Sequence, residues 1–156
     1  MIKHSFKYSL FVIILLMNAE YIAQKARKAI GDFCFEECGA YCCRKGYLIL
    51  QPKELLTVVN TPSNLQHEIK KLENGTYSLN LGCNGCPSLK DFKCLIHKKR
   101  LRPKVCKEFP IFVGKKCVKL SSRCLAVRQG KLYPFIKEWK KMGVKIIEGD
   151  DFDVLP

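Results

Sequence analysis

The chain has 156 residues, 47% of them hydrophobic and 27% charged. That balance excludes a disordered chain and leaves room for one modest core. The formal net charge of +14 turns attention to polyanions such as RNA, or to internal anionic centres, as its counterpart. Ten cysteines amount to about 6% of the chain, below the roughly 8–10% of disulfide scaffolds.

Lys3 and Lys7 precede an apolar run from Leu10 to Met17. The run is far short of the about 20 residues that span a bilayer, so no transmembrane span is expected. No small-x-small cleavage site comes after it. Residues 1–18 therefore read as an apolar extension of one of three kinds. It is a signal-like anchor, or an upstream stretch before a start at Met17, or an ordinary helix. A cytoplasmic protein is expected; a membrane-anchored or exported one is the alternative.

From Ala19 to Ile30 good helix formers carry an apolar stripe through Tyr21, Ile22, Ala26 and Ile30. Gly31 stops it, and Asp32 can cap the next segment. Gly46–Leu50 reads as a strand, and Pro52 suits the first position of a short helix through Val59. Ser63 would cap a helix over Asn64–Glu73. Asn74-Gly75 is a turn signal, and Thr76–Leu81 alternates like a strand. Gly82–Pro110 is loop-rich. Phe109-Pro110-Ile111-Phe112 reads as a core wall. A strand over Cys117–Leu120, a helix over Leu132–Met142 and a strand over Val144–Ile147 complete the chain. The fold class is α+β: a small, loop-rich single domain, residues 19–156, organised around cysteine-ligated metal.

The cysteines fall in two groups. Cys34, Cys38, Cys42 and Cys43 lie close together; Cys83, Cys86, Cys94 and Cys106 come after a gap, then Cys117 and Cys124. Clustered thiolates drawn from distant segments are the usual way a small chain holds zinc or an iron–sulfur cluster. The spacing of Cys34, Cys38 and Cys42 puts them on one face if the segment is helical; with Gly39 inside it, a loop wrapping an ion is equally open. The neighbours Cys42 and Cys43 cannot easily pair with each other. Cys83-Asn-Gly-Cys86-Pro is a knuckle whose glycines permit the turn. A secreted disulfide framework is the competing reading. His97 is expected to be solvated.

Between Leu81 and Lys131 fourteen Lys or Arg stand against only Asp91 and Glu108. Three explanations compete. The charge offsets thiolate centres, is simply solvated, or meets RNA through a stripe of Lys98, Lys99, Arg100 and Lys104.

Taken in order, several motifs form one pattern. They are Cys34…Cys38-Gly39…Cys42-Cys43-Arg44, the strand Leu48-Ile49-Leu50, Cys86-Pro87-Ser88-Leu89, Cys94-Leu95-Ile96-His97, Arg102-Pro103 and Cys106-Lys107-Glu108-Phe109-Pro110. The pattern resembles the YkgJ-type cysteine-cluster family, described as zinc- or iron-chelating, over Cys34 to Cys124. Each gap of the first cluster is one residue longer than in the family. His97 and Lys107 stand where the family has Tyr and Arg, and Cys83 and Cys117 have no counterpart. The resemblance implies a ligand set of Cys34, Cys38, Cys42, Cys43, Cys86, Cys94, Cys106 and Cys124, holding Zn2+ or an iron–sulfur cluster. It assigns no reaction and no catalytic residue, although some members look related to flagellin lysine methylases.

The expected function is that of a metal-binding cysteine-cluster protein. The alternatives are a basic RNA- or ribosome-associated protein with structural metal, and an iron–sulfur redox or protein-modification enzyme. The partner is RNA, another polyanion or a protein.

Overall fold

The computed structural model describes residues 3–60, 67–82 and 84–149, with side chains from residue 10 onward. Ser63 and Cys83 lie outside the described residues. The architecture is mixed α+β, divided into two compact units: Met1–Asp32 with Phe109–Pro156, and Phe33–Glu108.

The first unit opens with α1, Lys3–Ala29. This helix is longer than the Ala19–Ile30 that the stripe predicts. Nothing in Leu10–Met17 breaks a helix, so the turn already nucleated propagates through it. Its C-terminal half buries Ala19, Ile22, Ala23 and Ala26. Small residues on that face allow close approach to β6, Ile111–Val113, and to α7, Tyr133–Lys141. There Trp139, wholly buried, donates its indole N–H to the Ala19 carbonyl at 3.1 Å. β6 confirms the core wall, with Ile111 and Phe112 buried. It pairs antiparallel with β7, Cys117–Ser121, which pairs in parallel with β8, Lys145–Gly149. A parallel pair needs a crossover. The short α6, Leu125–Arg128, and α7 supply it.

The second unit begins within α2, Gly31–Glu36, then α3, Tyr41–Arg44, and β1, Tyr47–Leu50. α4, Pro52–Val59, starts on a capping box in which Gln51 and Glu54 satisfy each other's backbone N–H groups. The predicted helix over Asn64–Glu73 is a correction. Residues 64–66 lie outside the described residues, and Ile69–Lys71 forms strand β2. The Asn74-Gly75 turn overrides helix propensity here. Gly75 sits at φ +80, and Asn74 Oδ1 accepts from the Thr76 N–H and hydroxyl. The chain is thereby folded back as a hairpin with β3, Tyr77–Asn80. β3 is central, with β1 on its other side.

Leu50, Val58, Leu79, Leu81 and Ile96 form this unit's core, and Cys86, Cys94 and Val105 pack against it. Beyond the sheet come a two-residue hairpin, β4 (Leu89–Lys90) and β5 (Lys93–Cys94), and α5, Lys104–Glu108. Both interrupt the segment that the sequence presents as loop.

Leu79 lies at the middle of this core with no exposure. Leu79→Ala is expected to cost about 2–5 kcal/mol of unfolding free energy. Ile69→Thr, on the exposed edge strand, should stay within about 0.5 kcal/mol. Urea denaturation of both variants checks the assignment of the core to β3.

Candidate metal centre

Four segments of the second unit each contribute one thiol to a shared neighbourhood. Cys43 lies on α3, Cys86 in the turn before β4, Cys94 at the end of β5 and Cys106 on α5. All four are half-buried. Cys43, of the first cysteine group of the sequence, thus lies near three members of the second.

Local structure explains the convergence. The Cys86 N–H donates to the Cys43 carbonyl at 2.7 Å. Gly85 supplies the left-handed backbone that this turn requires. It has φ +71, and a Cβ there would lie 3.6 Å from the Cys43 carbonyl oxygen. The β4–β5 turn brings Cys94 opposite Leu89. Its two turn residues, Asp91 and Phe92, both have positive φ, at 49° and 61°. A two-residue hairpin of this hand demands that conformation, and an aromatic residue adopts it only under strain.

Phe92 has a compensating contact. The Arg44 guanidinium lies over its ring at 5.5 Å, while Arg44 Nε donates to the Gly39 carbonyl at 2.8 Å. Gly39 itself, at φ +57, passes against both side chains. The clamp ties the hairpin tip to the turn just before Cys43. Sequence reasoning missed Phe92 because a phenylalanine gives no turn signal.

α5 is placed by the buried Pro103 and by the Lys104 N–H, which donates to Glu54 Oε1 at 2.8 Å. With φ fixed, Pro103 starts the turn that leads to Cys106.

The electrostatics tie the four sulfurs together. Burial pushes the Cys86 thiol up from 9.0 to about 12; Cys43 and Cys94 add to the rise, and the Ser88 N–H opposes it. Burial likewise pushes Cys106 to about 12, with Cys43, Cys86 and Cys94 raising it and Arg102 lowering it. Cys94 is raised by burial and by Cys43, against the Ile96 N–H and Arg102. In both Cys86 and Cys94 the opposing donor is the backbone N–H two residues on. That is the turn geometry by which a chain supports a charged sulfur.

Among the described residues, no three or more His, Cys, Asp or Glu side chains are already set as the ligands of an ion. The thiols are electrostatic neighbours. Two observations bear on whether a metal fits. The donor set is four soft sulfurs, suited to zinc or an iron–sulfur cluster. Arg102, charged and half-buried beside Cys94 and Cys106, has a buried Nε with no hydrogen-bond partner. A buried donor in that position wants an acceptor, and a thiolate is one. The residues present fit a thiolate-held metal. Cys43, Cys86, Cys94 and Cys106 would hold it, and it would supply the positive charge that four buried thiolates need.

The other expected ligands lie on the following elements. Cys34 is on α2, Cys38 in the turn after it and Cys42 on α3. The helix breaks at Gly39 and Ala40, both at positive φ. The three therefore do not share one helical face, and the loop alternative describes them. Cys38 Sγ accepts the Tyr41 N–H at 3.3 Å. Cys124 belongs to the first unit, buried at the start of α6. Cys117 opens β7. None of the described cysteines is in a disulfide.

The basic side chains divide by role. Lys98, Lys99 and Arg100 are exposed, whereas Arg102 acts on the thiols. His97 is exposed, with its pKa lowered by desolvation, Arg102 and Lys98. No helix among the described residues is long and apolar enough to cross a membrane. No protein-family model, no curated protein and no solved structure matches the chain.

The raised thiols set a direction for the metal-free protein. A thiol whose pKa is higher folded than unfolded favours the fold while it stays protonated. That contribution is complete below the unfolded value near 9 and is lost as pH rises towards about 12. Chelator-treated protein should therefore lose stability across this alkaline window. The double variant Cys86→Ala, Cys106→Ala should lose less. Thermal melts between neutral and alkaline pH compare them.

Proposed function

We propose that the unit Phe33–Glu108 is a metal-binding module of the YkgJ type, with Cys43, Cys86, Cys94 and Cys106 as ligands to zinc or an iron–sulfur cluster. The observation that carries this reading is the backbone bond that joins Cys86 to Cys43, with Cys43 near enough to raise the Cys86, Cys94 and Cys106 thiols and the unpartnered Nε of Arg102 beside Cys94 and Cys106. Bound metal would convert buried thiols that resist ionisation into ligands, and its binding energy would add to the stability of the unit. Metal binding is the whole of the proposed function; no reaction is part of it.

Elemental analysis of protein purified without oxygen should find zinc or iron. Absorbance near 400 nm assigns a cluster, and a colourless, chelatable protein assigns zinc. Cys86→Ser and Cys106→Ser should each lower metal content at least tenfold and lower the melting temperature. Cys117→Ser, on a strand of the other unit, should leave both unchanged. Metal content that survives loss of Cys86 and Cys106 alike contradicts the ligand set.

A second reading, nucleic-acid binding, has its own support. The same unit carries cations over aromatic rings: Lys93 over Phe35 at 4.8 Å, Arg44 over Phe92 and Lys45 over Tyr41 at 5.5 Å. Phe35 and Phe92 are exposed, and bases stack on such rings beside neutralised phosphates. The exposed Lys98, Lys99 and Arg100 extend the positive surface. The variant Lys98→Glu, Lys99→Glu, Arg100→Glu should retain metal and bind single-stranded RNA more weakly, with a shallower salt dependence by about 0.7 log units per lost contact. Unchanged RNA affinity removes this reading for the stripe.

A further inference from the structure

Helix α1 has two apolar faces, and its interior accounts for only one. Ala19, Ile22, Ala23 and Ala26 are buried. On the opposite side Leu10, Ile13, Ile14, Met17 and Tyr21 recur at i, i+3, i+4, i+7 and i+11, which is one stripe of an α-helix. All five are at least 49% exposed, and Phe11 beside them is 67% exposed. Isolated exposed apolar residues need no explanation, but a continuous stripe of this length marks a surface that meets something apolar.

The charges around the stripe select the occupant. Lys3 and Lys7 lie seven and three residues before Leu10 in the same helix; Lys25 and Lys28 lie four and seven residues beyond Tyr21. In the sequence, lysines at helical spacing thus flank the stripe on both sides. Lys25 Nζ sits over the Tyr21 ring, 5.6 Å from its centre. The sole acidic residue of the helix, Glu20, is paired with Arg27 at 2.7 Å.

A second copy of this helix meets the same difficulty in either direction. Parallel packing sets Lys25 and Lys28 against their own equivalents. Antiparallel packing centred on the stripe sets them against the end of the helix whose sequence carries Lys3 and Lys7. No carboxylate is available on the stripe to relieve either arrangement. A surface that is apolar within and anionic above meets neither obstacle. It takes the large side chains into its acyl boundary, and its headgroups take the lysines and the tyrosine hydroxyl at the rim.

We propose that the stripe Leu10–Tyr21 of α1 binds the surface of an anionic lipid bilayer, with the helix lying in the interface plane and not crossing it. The short apolar run agrees with an in-plane helix. None of these residues is among the proposed metal ligands.

The test uses the full chain and flotation with vesicles of phosphatidylcholine, with and without phosphatidylserine. The protein should float with the anionic vesicles, less so at high salt, and only weakly with the neutral ones. In Phe11→Trp, the introduced indole should shift to shorter emission wavelength when anionic vesicles are added. Leu10→Ser, Ile14→Ser, Met17→Ser together should abolish flotation while circular dichroism and metal content stay unchanged. Lys25→Gln with Lys28→Gln should weaken partitioning about thirtyfold at low salt. If the triple variant fails to fold, the lysine pair and the Phe11→Trp shift still decide. The proposal is overturned by absence of binding to anionic vesicles, by undiminished binding in a folded triple variant, or by unchanged binding in the lysine pair. A stripe-dependent dimer formed without lipid also overturns it and assigns the face to a second copy.

Discussion

The constraint on which the second unit depends is the burial of several thiols side by side. Cys86 and Cys94 pack against the Leu50–Leu79–Ile96 core, and burial pushes Cys86 and Cys106 far above the ordinary thiol range. Thiols in such a place are stable in two ways: as neutral, inert, core-like groups, or as thiolates with a cation among them. The proposed metal function corresponds to the second. Core packing alone does not call for the Ser88 and Ile96 N–H groups at the sulfurs, nor for an arginine whose Nε lacks an acceptor. The same architecture puts one ligand on each of four local elements, so metal binding would join parts of the unit that its small core holds only at their inner edges.

Much of the frame was legible in the sequence. Pro52 opening a helix, the strand before it, the Asn74-Gly75 turn and the terminal helix with Trp139 are local signals with local causes. The helix over Asn64–Glu73 failed because propensity is weak beside a strong turn. Once Asn74 and Gly75 reverse the chain, Ile69–Lys71 gains a strand partner in β3. β6 was visible only as apolar content, since three residues give no measurable period.

The site was legible in part. Residue chemistry and order marked Cys43, Cys86, Cys94 and Cys106, but as members of two clusters and alongside four others. Sequence proximity favoured grouping Cys43 with Cys34, Cys38 and Cys42. In the fold, a backbone hydrogen bond from Cys86, reached through the left-handed turn at Gly85, joins Cys43 to distant residues as well. No spacing rule reports such a contact. Phe92 was hidden for a related reason: its value lies in a strained turn held by Arg44, which exists only after the hairpin and the Gly39 turn have met. The basic surplus, concentrated between Leu81 and Lys131 in the sequence, separates in space into Arg102 beside the sulfurs and Lys98–Arg100 in solvent.

The most direct measurement is X-ray absorption at the metal edge of the protein as purified without oxygen. The account predicts a first shell dominated by sulfur, four thiolates at about 2.3 Å for zinc, that is lost from the Cys86→Ser variant. A metal-free protein, or a first shell made chiefly of nitrogen and oxygen, would contradict it.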